Sequence, residues 1–171
     1  QQPGPATGGV PFQPQPILTL CDMGGNTITW QNGAKAEAAL QTRPTGGNGT
    51  LSGVLSTQLI AGSAYFSGLK IQEAGYPYTL RFTLTPPLGA TWGATLFSTT
   101  FDSNPFLVSV GPLFTLELAQ QVPLTVGGGI PFAFQPQMLL KDAGGNLLQD
   151  ESTEYISVAI FGNPSQGMLS R

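Results

Sequence analysis

The 171-residue chain contains no histidine and one cysteine. Without histidine there is no Ser-His-Asp or Cys-His nucleophile pair and no imidazole metal ligand. A lone Cys21 excludes an intrachain disulfide. Charged side chains make up only 9% of the residues, against about 25% in ordinary domains. The six basic residues are scattered, so no patch is present to neutralise phosphates, and nucleic acid is not expected as a partner. No apolar run approaches the roughly 18 residues of a membrane-crossing helix. Gly127-Gly128-Gly129 lacks the Lys-Ser/Thr and the helix that make a phosphate loop. With general acid–base groups this scarce, no catalysis and no cofactor are expected.

What is abundant is turn chemistry. The chain has 23 glycines and 15 prolines, and 40% apolar residues including ten Phe. That apolar share is enough for a packed core. The glycines and prolines recur at a constant offset of 120 positions. Gly8-Gly9-Val10-Pro11-Phe12 returns as Gly128-Gly129-Ile130-Pro131-Phe132, and Gln15-Pro16 as Gln135-Pro136. Asp22-Met23-Gly24-Gly25-Asn26 returns as Asp142-Ala143-Gly144-Gly145-Asn146, and Pro44 and Gly47 as Pro164 and Gly167. Backbone-determining residues repeated at one spacing report the same turns used twice. Glycine accepts positive φ, and Asp and Asn bond their own backbone, so Asp-x-Gly-Gly-Asn reads as a turn between strands.

Helical periodicity is nearly absent. Short apolar or alternating segments bounded by Gly, Pro, Asn or Ser predict an all-β sandwich. Strands are expected at Pro16–Asp22, Lys35–Thr42, Val54–Ile60, Ala64–Ile71, Tyr78–Thr85, Thr95–Phe101, Phe106–Val110 and Leu113–Ala119. Lys35–Thr42 has a helix-like composition, but its copy Tyr155–Phe161 is β-branched and alternating, so both are read as strands. The repeat places one nearly complete unit at 1–111, lacking its first strand, and the N-terminal half of a second at 112–171. Half a sandwich leaves an open edge, so neighbouring repeats or other copies of the same protein are the expected partners.

The order G-x-P-F-x-x-Q-P, D-x-G-G-N, Gly49-Thr50-Leu51-Ser52-Gly53, Tyr78–Thr83 and Asn104–Val110 resembles the immunoglobulin-like tandem repeats of large surface proteins. These are the bacterial Ig-like and invasin-type arrays and, more weakly, filamin-type repeats. The chain departs from that pattern around Pro86–Ser103. The resemblance covers nearly the whole chain, and its motifs are turns and strand fillers, so it specifies fold better than function. It implies a structural segment of an extracellular or cell-surface protein: stalk, fibre or adhesion scaffold. A glycan- or protein-binding module and a cytoplasmic filamin-like scaffold of cilium or cytoskeleton are the alternatives.

Few residues are candidates for chemistry. Asn48-Gly49-Thr50 is the usable N-glycosylation sequon. Cys21 aligns with Lys141, which predicts an outward position, either as a free thiol or in an intermolecular disulfide. Trp30 and Trp92 are the candidate contact residues for a glycan or protein ligand, because loops on a rigid scaffold carry function. Asp142, Asp150, Glu151 and Glu154 gather acid in the second unit. The first unit offers only Asp22 and Asn26 at matching places, so a solvated turn is expected there rather than calcium. Lys35, Lys70 and Lys141 are read as surface lysines rather than as partners in an isopeptide bond.

Overall fold

The computed structural model describes residues 1–87, 100–149, 155–162 and 166–169. It is all-β, and no helix occurs among the described residues. The strands are β1 (Ala6–Thr7), β2 (Ile17–Thr19), β3 (Lys35–Thr42), β4 (Leu51–Ser52), β5 (Ser56–Gln58), β6 (Ser63–Tyr65) and β7 (Lys70–Ile71). They continue with β8 (Gly75–Thr85), β9 (Thr100–Asp102), β10 (Phe106–Ser109), β11 (Thr115–Gln120) and β12 (Gln137–Lys141).

The largest sheet has six strands in the order β1-β10-β8-β3-β5, with β9 also pairing β8. β8 is its organising strand. Tyr78, Leu80, Phe82 and Leu84 alternate inward and are all buried. Removing each such side chain from water contributes about 1.5–3 kcal/mol before chain entropy is charged against it. Outward-facing Arg81 forms a two-pronged pair with Asp102 of β9, at 2.7 Å through each nitrogen. On the neighbouring strand β3, Ala36 and Ala38 face the same core. The helix-like composition of Lys35–Thr42 is overridden because β8 and β5 pair with it on both sides.

The pairs β2–β6 and β4–β7 supply the rest of the core through Ala64, Phe66, Leu69 and Ile71, with Leu18, Leu20 and Leu51 packed against it. Phe66 meets Phe82 with ring centres 5.3 Å apart, and Phe12 meets Phe106 edge-on at 5.6 Å. Tyr78 is fully buried, and its hydroxyl donates to the Glu73 carbonyl at 3.0 Å. Gly49 makes this possible, since a Cβ there would come within 2.3 Å of the Tyr78 oxygen. A tyrosine hydroxyl anchored to a backbone carbonyl five residues upstream is thus present at the start of this strand.

Several expected strands differ in extent. Ala64–Ile71 is broken into β6 and β7 at Gly68, whose φ of 64° interrupts extended backbone. Of Thr95–Phe101, residues 95–99 lie outside the described residues. Tyr155–Phe161 forms no strand. Its copy β3 is held between β5 and β8. β11 and β12 form a two-stranded antiparallel sheet joined by five residue pairs, Thr115 opposite Lys141 through Gln120 opposite Gln137.

Candidate inter-repeat joint

The two Asp-x-Gly-Gly-Asn segments fold into the same turn. Asp22 Oδ1 accepts from the Gly24 and Asn26 amides at 2.9 and 2.8 Å. Asp142 Oδ1 accepts from Gly144 and Asn146 at the same distances. In both, the fourth residue carries positive φ, 85° at Gly25 and at Gly145. The amides of Ile28 and Leu148 then bond Leu20 and Leu140, each at 2.9 Å. The 120-residue repeat is thus a repeat of geometry, set by Asx-turn hydrogen bonds and by glycine's access to the left-handed region.

Their surroundings are opposite. The Asp22 turn is exposed, whereas Asp142 is only 1% exposed. The second turn sits against residues that follow the first one in sequence. Asp142 Oδ2 accepts the Gly111 amide at 2.8 Å. Asn146 donates through Nδ2 to the Gln72 carbonyl at 2.8 Å and accepts through Oδ1 from the Ala74 amide at 2.8 Å. Nδ2 also reaches both Asp142 oxygens at 3.0 Å. One side chain therefore satisfies a backbone donor and a backbone acceptor beyond β7, where an unmade bond would cost more than a made one contributes.

Glycines form the floor and the roof of this contact. A Cβ on Gly8 would lie 2.2 Å from Asn146 Nδ2, and one on Gly9 2.4 Å from the Ala143 carbonyl carbon. A Cβ on Gly144 would lie 2.0 Å from the Gln72 oxygen. The Gly8-Gly9 pair is itself held by bonds from its amides to Ser109 and Ile71, both 2.9 Å. A Cβ on either glycine of its repeat, Gly128-Gly129, would meet nothing within 4 Å among the described residues. In both copies the Gly-Gly pair stands 14 residues ahead of the start of an Asp-x-Gly-Gly-Asn turn.

The electrostatics follow the burial. Desolvation pushes the Asp142 carboxyl up. The hydrogen bonds from Gly111, Asn146 and Gly144 outweigh it and hold the group below the ordinary carboxylate value. Asp22 is also held low, chiefly by the Asn26 side chain. Both Asp142 oxygens are taken up by N–H donors, so this carboxylate serves the joint, while Asp150, Glu151 and Glu154 lie outside the described residues. No family model matches the chain, and no curated protein or solved structure gives a match to it.

The residues singled out in the sequence lie apart from the joint. Asn48 is exposed, and its amide donates to the Glu73 carboxylate. Cys21 is exposed, one residue before the free turn. Trp30 is 74% exposed, in the loop before β3. Trp92 lies outside the described residues. Lys35 pairs with Glu37 at 2.7 Å and Lys141 with Glu117. Gln72, Ala74 and Gly111 were not foreseen. They contribute only backbone groups, so their side chains carry no sequence signal. The recurrence of Gly-Gly ahead of Asp-x-Gly-Gly-Asn was the available clue.

Proposed function

We propose that the chain is a structural segment of an immunoglobulin-like tandem array, in which sandwich units are fastened end to end and no catalysis takes place. A single observation carries the reading: the second repeat's turn is buried on the first through Asp142 and Asn146, using residues that both repeats possess. A joint made by polar groups that find their partners only in one geometry fixes the angle between units, which is what a stalk or fibre requires. Repeated head-to-tail contacts of this heterologous kind build extended assemblies wherever the rotation between units does not close a ring.

The test is 15N relaxation on the whole chain. Residues 115–120 and 137–149 should tumble with the body formed by residues 6–108, and Asn146→Ala should release them. Independent tumbling in the unmodified chain would overturn the reading. An extracellular or cell-surface setting belongs to the same proposal and is favoured by the exposed Asn48 sequon. A glycan mass on Asn48 in the native protein tests it. A second reading, ligand binding through an aromatic loop, is favoured by the exposure of Trp30. Glycan-array binding that is lost on Trp30→Ala would support it.

A further inference from the structure

We infer that Glu73 latches the joint to the Asn48 loop, so that docking of the Asp142 turn and the position of that loop are coupled. This deepens the tandem-array reading, and rests on it, by naming what holds the receptor for Asn146 in shape. Gln72, Glu73 and Ala74 connect β7 to β8 and belong to no strand. A bent connector has no ladder to satisfy its backbone, so side chains have to shape it. Three of its backbone groups have such partners. Asn146 takes the Gln72 carbonyl and the Ala74 amide, each at 2.8 Å. Between them, the Glu73 carbonyl accepts the Tyr78 hydroxyl at 3.0 Å. The Glu73 carboxylate in turn accepts the Asn48 amide. A bond to an ionised acceptor is roughly twice as strong as one between neutral groups. The middle residue of the receptor is thus held at its carbonyl and at its carboxylate by two groups that are not part of the docked turn. Glu73 is a positioning residue for the joint.

The Asn48 loop governs both holds. Its turn is closed by the Gly47 amide on the Pro44 carbonyl at 3.0 Å. A Cβ on Gly47 would stand 3.5 Å from both Glu73 carboxylate oxygens, so the turn lies against that carboxylate. Two residues on, Gly49 lies against the Tyr78 hydroxyl, where a Cβ would come within 2.3 Å of the oxygen. A shift of residues 47–49 therefore moves the Glu73 carboxylate and the Tyr78 hydroxyl together. With them move the two backbone groups that Asn146 bonds. Coupling of this kind is reciprocal: the loop steadies the docked turn, and the docked turn steadies the loop by the same factor. Asn48 is exposed, so the latch has a solvent-facing handle.

The experiment measures amide hydrogen exchange on the whole chain, unmodified and in variants. Rates are compared with that of the Ala38 amide, which bonds Leu55 at 2.8 Å within the first repeat, so that a change in overall stability cancels. Glu73→Ala should speed exchange at Ala74 and Gly111 by about fivefold or more. Glu73→Gln keeps an acceptor oxygen and should restore most of the protection. Gly49→Ala reaches the same segment through the Tyr78 hydroxyl and should loosen Ala74 with Glu73 intact. Asn146→Ala should speed exchange at the Asn48 amide, to which Asn146 makes no bond; a Glu73 that merely supported its own loop would not transmit this change. The inference is overturned if Glu73→Ala leaves Ala74 and Gly111 as protected as in the unmodified chain, or if Asn146→Ala leaves Asn48 unchanged. Either result leaves the joint itself standing. Failure of the joint shows differently, as Ala74 and Gly111 unprotected in the unmodified chain.

Discussion

Asn146 accepts a hydrogen bond from the Ala74 amide and donates one to the Gln72 carbonyl, both at 2.8 Å, so one side chain satisfies two backbone groups 72 and 74 residues earlier in the chain. Its counterpart Asn26 has the same turn around it and, among the described residues, its side chain bonds only to Asp22. The pair forms an internal control, in which local chemistry is equal and tertiary use differs.

Asn146→Ala should therefore cost about 1–3 kcal/mol at the joint, the usual consequence of leaving partly buried partners unmade. Asn26→Ala should leave the joint unchanged. Hydrogen exchange at the Ala74 and Gly111 amides reads the difference. Equal protection in the two variants would contradict the assignment.

The glycines sharpen the same contrast. A Cβ on Gly144 would meet the Gln72 oxygen at 2.0 Å, while one on Gly24 finds nothing nearer than the Asn26 side chain at 3.1 Å. Gly144→Ala should undock the second turn, and Gly24→Ala should be tolerated. Gly8→Ala should behave like Gly144→Ala, and Gly128→Ala should be silent. Limited proteolysis after Gly111 would rank the four variants.

Acid should open the joint. The Asp142 carboxyl is held below its ordinary value of 3.8 in the folded chain. Its contribution is therefore fully present above that value and is lost as pH falls through the lower, folded one. Near neutral pH nothing should change. Exchange protection at Gly111 should collapse below about pH 4 in the native chain. In Asp142→Asn it should already be weak, with a much flatter acid dependence.

Tyr78→Phe should destabilise the first repeat by about 1 kcal/mol through loss of the hydroxyl bond to Glu73. Burial, reinforced by the Glu73 carboxylate, pushes the phenol above its usual value of 10.0. Stability carried by the neutral phenol is thus present below pH 10 and lost as pH rises through the folded value. Leu80→Ala, from the same strand, should cost about 2–5 kcal/mol. Denaturant midpoints compare the three chains.

Much of this architecture was legible without coordinates, for local reasons. Alternation along Tyr78–Thr85 announced β8. The Asp-x-Gly-Gly-Asn turns form wherever they are placed, because the Asp side chain bonds amides two and four residues on and glycine accepts the left-handed φ. Lys35–Thr42 was legible only through comparison with its repeat, since alanine-rich composition argued for a helix.

The amino-acid sequence by itself determined the repeat, the turns and the β class, because these depend on φ preferences and short-range hydrogen bonds. Only the tertiary structure decided that Asp142 and Asn146 are buried while Asp22 and Asn26 are not. Their partners at Gln72, Ala74 and Gly111 are backbone groups, which every residue except proline carries in full, so nothing in the side-chain order distinguishes them. The chain has to fold before those three groups stand together as a receptor for the turn.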